Sequence, residues 1–184
     1  MRQPVLFTIG HSTHSVEEFI ALLNAHGIRR IVDVRSIPKS RHVPQFNSEV
    51  LASPLQAAGI GYTHLKALGG RRHSRKDSIN TGWRNISFRG YADYMATPQF
   101  AEGIRVLMQI ARNTSTAIMC AEAVPWRCHR SLIADALMLQ NWQVSDIISA
   151  APAAEHKLTP FLESVNGQPT YPDSSKSASL FNEP

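Results

Sequence analysis

Short, uninterrupted apolar runs alternate in this chain with longer segments of helical character, and this alternation restricts the fold more than any other feature. The apolar runs lie at 5–9, 31–34, 60–65, 116–119 and 144–148, and the helical segments at 15–27, 47–58, 91–95, 98–111 and 131–139. Continuous apolar runs are typical of strands buried on both faces of a parallel sheet, where helices form the crossovers. The sequence therefore predicts a three-layer α/β fold with a mostly parallel sheet of about five strands.

Local signals fix several boundaries. Ser15 and Glu18 form a capping box that predicts the start of the first helix, and Gly27 predicts its end. Near the C-terminus, Asn166-Gly167 between two short runs predicts a β-hairpin. We expect a single domain over residues 1–172 and a disordered tail over 173–184, because the tail is polar and poor in apolar residues.

The 184 residues include two cysteines and no apolar run long enough to span a bilayer. The N-terminus leads directly into a strand pattern and lacks the plan of a signal peptide. Two cysteines are too few for a disulfide framework. These features predict a cytoplasmic protein with reduced thiols and no membrane partner; they do not indicate an oligomeric state.

Positive charge is concentrated in one part of the chain. The net charge is +5, but residues 35–90 hold ten Lys and Arg against two acids, a surplus of +8, so the remainder is net acidic. A nucleic acid or another phosphate-bearing ligand is the partner that such a segment indicates. The alternative is a solvated basic loop without a partner.

Reactive side chains follow the ends of the predicted strands. His11 follows the first, Asp33 and Arg35 flank the end of the second, and Tyr62 and His64 share one face of the third. Ligands of open α/β sheets bind at the carboxyl ends of the strands. We therefore expect these residues to lie in one crevice, although Asp33 and Arg35 fit a structural ion pair equally well and Tyr62 and His64, each taken alone, fit the core better.

The densest group of such residues is the segment 120–130, which joins the fourth strand to a helix. It contains both cysteines, a glutamate, a histidine and two arginines. We interpret Glu122 as a general acid or base, and His11 and Cys128 as further catalytic candidates, since a helix start favours a thiolate. The candidate substrate-binding residues are Arg35, Asp33, His129, Arg130, His64, Tyr62 and Arg89, the last from a segment that interleaves arginines with aromatic residues.

Three functions compete. The favoured one is an enzyme that acts on nucleic acid or nucleotides by hydrolysis or base modification. The second is a protein that binds nucleic acid without catalysis. The third is a thiol-dependent phosphatase or sulfurtransferase, but six residues separate Cys120 from Arg127 and the loop between them has no glycine, which fits neither class well.

No motif requires a cofactor. A metal site built from Cys120, Cys128 and His129 is a weak alternative, because their spacing matches no zinc module.

Taken as a set, several segments resemble the family called domain of unknown function 488. They are Thr8-Ile-Gly-His-Ser12, Asp33-Val-Arg35, Leu68-Gly-Gly70, Phe88-Arg-Gly-Tyr-Ala92, Cys120-Ala-Glu122, Cys128-His-Arg130, Leu158-Thr-Pro-Phe161 and Thr170-Tyr-Pro172. The resemblance runs from about Val5 to Pro172. It implies that His11, Arg35, Glu122, Cys128, His129 and Arg130 occupy positions of the family pattern, but it implies no particular activity.

Overall fold

A computed structural model describes residues 3–173, and its main feature is a six-stranded sheet in the order β3-β2-β4-β1-β5-β6. The strands are β1 (Val5–Gly10), β2 (Arg30–Asp33), β3 (Gly61–His64), β4 (Thr116–Cys120), β5 (Gln143–Ile147) and β6 (Ala154–Glu155). The first five are parallel, and only the two-residue β6 pairs antiparallel, with β5. The predicted fold class is confirmed; β6 is too short to leave a pattern in the sequence.

Helices cover both faces of the sheet. They are α1 (Val16–Ala25), α2 (Ser48–Ala57), α3 (Ile86–Met95), α4 (Pro98–Asn113) and α5 (Arg130–Met138). One buried core lies between the sheet and α1 and α2, and contains Phe19 and Leu55. The other lies between the sheet and α3, α4 and α5, and contains Tyr91 and Leu132. Alternate residues of each central strand enter the two cores, which is why these strands are apolar throughout.

Several local predictions are confirmed at the level of single bonds. The Ser15 side chain accepts from the Glu18 amide while the Glu18 carboxylate accepts from the Ser15 amide, which completes the capping box of α1. The hairpin pairs β7 (Glu163–Val165) with β8 (Gln168–Thr170). Its turn residues Asn166 and Gly167 both have positive φ, 53° and 78°, as a two-residue hairpin turn requires.

One boundary prediction is wrong. The helical segment predicted at 91–95 starts too late, because α3 begins at Ile86, five residues earlier. The side chain of Asn85 caps this helix by accepting from the Ser87 amide. Ser87, Arg89 and Gly90 interrupt the apolar periodicity in the first turns, so the sequence hides the helix start. Of the predicted tail, residues 174–184 lie outside the described residues.

A buried cluster of charged residues joins α5 to the edge of the sheet. The His156 ring lies between two carboxylates, with Nδ1 at 2.9 Å from Asp146 and Nε2 at 3.3 Å from Asp135. Thr8 donates to Asp146, and Tyr171 donates to Asp135. Burial opposes protonation of His156, but the hydrogen bonds and charges of the two aspartates outweigh it and raise its pKa to about 9. His156 therefore acts as a cation that holds two acids together.

This cluster predicts a loss of stability in mild alkali. The folded state binds the His156 proton more tightly than the unfolded chain, so the contribution is complete below about pH 6.5 and disappears as the pH rises to about 9. We expect the free energy of unfolding, measured with urea, to fall by about 3 kcal/mol over this range. His156→Gln should remove this slope and lower stability at neutral pH by about 3–5 kcal/mol, since two buried acids lose their cation. The control is His42→Gln, which replaces an exposed histidine and should keep the pH dependence of the wild type. If the stability of His156→Gln falls with pH as steeply as that of the wild type, the assignment is refuted.

Candidate functional site

A pocket of about 420 Å³ lies at the carboxyl ends of β1, β2 and β4. The two adjacent parallel strands β1 and β4 are followed by α1 and α5, which pack on opposite faces of the sheet. A crevice forms where successive crossovers diverge in this way, and it is the usual ligand site of open α/β sheets. We call it the strand-end pocket; its polar lining comprises His11, Arg35, Ser36, Lys39, Ser40, Arg71, Ser87, Cys120, Glu122, Arg127, Cys128 and His129.

A buried ion pair forms one wall of the strand-end pocket. The Arg35 guanidinium donates to both carboxylate oxygens of Asp33, with Nη2 at 2.6 Å from Oδ2 and Nε at 2.9 Å from Oδ1. Nη2 also donates to the Phe46 carbonyl at 2.7 Å. Arg35 lines the pocket, whereas Asp33 is fully buried behind it. Asp33 is thus placed to orient Arg35 rather than to contact a substrate.

Two further predicted binding residues also support Arg35 from behind. The Tyr62 hydroxyl donates to Asp33 at 2.6 Å, and Nε2 of His64 lies 2.8 Å from the Arg35 carbonyl. Burial, together with the hydrogen bond to the Asp33 carboxylate, raises the pKa of Tyr62 above its usual range. Neither Tyr62 nor His64 lines the strand-end pocket. Because Tyr62 and His64 lie two residues apart on β3, their side chains share one face. Both point to the end of β2 and not into the pocket.

His11 lies in the wall as a neutral ring. Its Nε2 is 3.2 Å from Nη1 of Arg35, which can only donate, so Nε2 accepts and Nδ1–H donates to the Ser12 carbonyl. The ring stacks on Phe46 with centroids 4.3 Å apart. Burial and the charge of Arg35 outweigh the hydrogen bond to Ser12 and lower the His11 pKa to about 4. Both ring nitrogens are therefore occupied, and His11 is placed to position Arg35.

The loop that follows β4 carries Glu122 to the rim of the pocket, where its side chain is exposed. Arg130 is completely buried beneath this loop and donates from Nη2 to the Glu122 carbonyl at 2.7 Å. A Cβ on Gly10 would lie 1.8 Å from the same carbonyl oxygen. Arg130 therefore shapes the loop from below and does not line the pocket, and Gly10 is required for the close approach of β1.

The two cysteine thiols lie together at the floor of the pocket, both nearly inaccessible. The Cys128 sulfur is 3.4 Å from Nδ1 of His129 and 3.5 Å from the Arg130 amide, which donates to it. Burial favours the neutral thiol, but a hydrogen bond from Cys120 and the hydrogen bond and charge of His129 outweigh it, so the pKa of Cys128 is lowered. Burial and the adjacent Cys128 raise the pKa of Cys120.

The His129 ring is fixed on its other side as well. Its Nε2 lies 2.8 Å from the Val34 carbonyl, so Nε2 carries a proton and Nδ1 faces the Cys128 sulfur. A Cβ on Gly70 would lie 2.4 Å from Nδ1, so the ring fits only against a glycine. The sequence contained this glycine within Leu68-Gly-Gly70, but nothing in the chain indicated that it faces His129.

Two guanidinium groups at the pocket have no partner among the residues that the structure describes. The side chains of Arg71 and Arg127 form no hydrogen bond or ion pair with any group of residues 3–173. By contrast, Lys39 pairs with the exposed Glu49 at 3.1 Å. Neither Arg71 nor Arg127 was singled out as a binding residue from the sequence, where Arg71 appeared only as part of the positive surplus.

Arg89 does not line the strand-end pocket. Its Nε and Nη2 donate to the Trp83 carbonyl at 3.1 and 2.9 Å. Trp83 packs against Phe88, Phe161 and Tyr171, so most of the aromatic and basic segment 83–91 stabilises the loop before α3. Only Ser87 and Phe88 of that segment reach the pocket.

Within the described part of the chain, no group of three or more His, Cys, Asp or Glu side chains is arranged to hold a metal ion. No helix of residues 3–173 has the length and apolar character needed to cross a membrane. The family model described as Domain of unknown function DUF488 matches residues 15–137, about two thirds of the chain. No curated protein and no solved structure matches the chain.

The neutral state of His11 is directly measurable. In a nuclear magnetic resonance titration of the ring protons, His11 should titrate near pH 4, because protonation would break its contact with Arg35. The resonance is assigned as the one missing in His11→Asn. A midpoint near 6.5, the ordinary value for histidine, would show that the ring is free to accept a proton and would contradict its placement.

Proposed function

The chain belongs to the DUF488 family, and we propose that it is an enzyme that hydrolyses a nucleotide or a nucleotide-sized part of a nucleic acid. The observation that carries the proposal is the pair of unpaired guanidinium groups, Arg71 and Arg127, at the same pocket as Arg35 and Glu122. Unpaired arginines at a concave site match the oxygens of phosphate, which they bind through two parallel hydrogen bonds.

The size and lining of the pocket support the same ligand class. A volume of about 420 Å³ lies within the range of pockets that bind small ligands. Phe88 offers an apolar ring against which a base can stack, and Ser36, Ser40 and Ser87 offer hydroxyls for a sugar or phosphate. An anion with a flat, apolar part therefore fits the lining better than an inorganic ion alone.

Glu122 favours catalysis over simple binding. Among the described residues that line the pocket it is the only acid, and it lies among cations. A carboxylate repels a phosphate, so a site that only bound phosphates would be better without it. Next to a scissile ester, the same group can protonate the leaving oxygen or accept a proton from water. A non-catalytic nucleic-acid-binding protein remains the second function, and the two differ in the effect of removing this carboxylate.

The binding half of the proposal is tested by charge removal. We expect fluorescently labelled single-stranded oligonucleotides and nucleoside monophosphates to bind more weakly to Arg71→Ala/Arg127→Ala than to the wild type, by about tenfold for each arginine lost. For the oligonucleotides, the plot of log affinity against log salt concentration should become shallower, with its negative slope reduced in magnitude by about 1.4. The control is Arg105→Ala, which removes a charge that α4 pairs with Glu102. Equal affinities of the double variant and the control would overturn the proposed phosphate contacts.

The catalytic half is tested at Glu122. Glu122→Gln preserves the shape of the side chain but cannot transfer a proton, so hydrolysis should fall by about 10²–10⁴-fold while affinity is unchanged or higher. Turnover is followed by chromatography of nucleotide products. If a ligand binds to the wild type without being changed, and Glu122→Gln binds it equally well, the protein is a binder and the enzymatic proposal fails.

A further inference from the structure

We infer that Cys128 is the nucleophile of the strand-end pocket and that it attacks the phosphorus of a phosphate monoester, forming a covalent cysteinyl-phosphate. The inference rests on the proposed function for the location and ligand class of the site. It adds the reacting atom, the bond that is broken and a route through a covalent intermediate.

The first support is the arrangement of three groups around the sulfur. The Val34 carbonyl holds Nε2 of His129 at 2.8 Å, and Nδ1 of His129 meets the Cys128 sulfur at 3.4 Å. A nucleophile, its base and a third group that orients the base are the components of an activated nucleophile. In this chain a backbone carbonyl takes the orienting position that a carboxylate or amide side chain takes elsewhere.

The second support is the choice between the two cysteines. Cys120 ends β4 and accepts from the Glu122 amide, but among the described residues no imidazole forms a hydrogen bond with its sulfur. Cys128 has His129 on one side and the Arg130 amide on another. Of the two cysteines, Cys128 is therefore the better placed to carry a thiolate, and the lowering of its pKa agrees with this geometry.

The third support is the charge around the sulfur. A thiolate at the floor and guanidinium groups at the rim bind a phosphoryl group between them, with its oxygens on the arginines and its phosphorus towards the sulfur. The loop itself offers few amides for this purpose: the Glu122 amide contacts Cys120, and the Cys128 amide donates to the Pro125 carbonyl. Side chains therefore take the place that the backbone cradle has in cysteine phosphatases.

The reaction has two balanced steps. In the first, the Cys128 thiolate forms an S–P bond as the P–O ester bond breaks, and the leaving alkoxide takes a proton from the Glu122 carboxyl group. In the second, water attacks phosphorus, Glu122 accepts the proton of the water, and the S–P bond breaks to give inorganic phosphate and the Cys128 thiolate. No oxidant, reductant or metal takes part in the balance.

Thiolate character is tested without any substrate. The wild-type protein is treated with iodoacetamide across a pH series, and modification of each cysteine is followed by mass spectrometry of peptides. The pH at which Cys128 is half as reactive as its maximum should lie below that of free cysteine, whereas Cys120 should react only at high pH. Modification of Cys128 should persist in Cys120→Ser, because His129 and the Arg130 amide still contact its sulfur. A Cys128 whose half-maximal pH is no lower than that of free cysteine, or no lower than that of Cys120, overturns the inference.

The role of His129 is tested through Gly70. Gly70→Ala leaves both cysteines intact but places a methyl group against Nδ1 of His129. The pH at which Cys128 is half as reactive as its maximum should rise, while the thermal midpoint of the protein shows that it remains folded. An unchanged pH profile in a folded Gly70→Ala protein would show that His129 does not hold the thiolate.

The covalent step is tested with p-nitrophenyl phosphate and nucleoside monophosphates. Acid quenching during turnover should leave Cys128 heavier by the mass of one phosphoryl group, and Cys128→Ser should abolish both adduct and turnover. Glu122→Gln should slow the hydrolysis of esters with poor leaving groups more than that of p-nitrophenyl phosphate, because p-nitrophenolate departs without protonation. Turnover of a monophosphate with no adduct, and with activity retained in Cys128→Ser, would overturn the nucleophile but preserve the proposed function. If the wild-type protein binds neither oligonucleotides nor nucleoside monophosphates, the proposed function fails instead. The alkylation result for Cys128 is unaffected by that outcome.

Discussion

The buried contact between Asp33 and Arg35 is the interaction around which the strand-end pocket is organised. Arg35 links the end of β2 to His11 after β1 and to the Phe46 carbonyl before α2, and Tyr62 of β3 donates to the same carboxylate. A buried ion pair contributes little net stability unless its remaining hydrogen bonds are satisfied. Here the guanidinium is bound on three sides by the protein. The pair therefore fixes geometry, and it keeps one positively charged group in the wall of the pocket.

The loop after β4, which also lines the pocket, depends on a second buried guanidinium. Arg130 lies under the loop after β4 and holds the Glu122 carbonyl, while its own backbone amide contacts the Cys128 sulfur. Gly10 permits β1 to approach the same loop, and Gly70 permits the His129 ring to lie beside Cys128. Two buried arginines and two glycines thus determine where the reactive groups Glu122, Cys128 and His129 stand. Arg71 and Arg127, whose side chains have no partner within residues 3–173, line the space that remains.

The fold could be predicted from the sequence because it depends on periodic and local signals. Continuous apolar runs identified the parallel strands, Ser15 and Glu18 identified the start of α1, and Asn166-Gly167 identified the hairpin. These signals act over two to ten residues. The start of α3 was missed because its first turn is polar, and β6 because it has only two residues.

The candidate site was only partly predictable, for a different reason. Residue type and position after a strand indicated that His11, Arg35, Glu122, Cys128 and His129 could meet, and all five line the pocket. They did not show which side chains point at the pocket and which support it from behind. Asp33, Tyr62, His64 and Arg130 lie behind the pocket, and Arg89 holds a loop. These assignments depend on contacts between residues far apart in the sequence, such as His129 with Val34.

The most direct test of a phosphate site with a cysteine nucleophile is a crystal structure with vanadate, which mimics a phosphoryl group in transfer. We expect vanadium bonded to the Cys128 sulfur in the strand-end pocket, with its oxygens bound by Arg71 and Arg127. Vanadate bound elsewhere, or a pocket that stays empty at saturating vanadate while the thiols remain reduced, would contradict it.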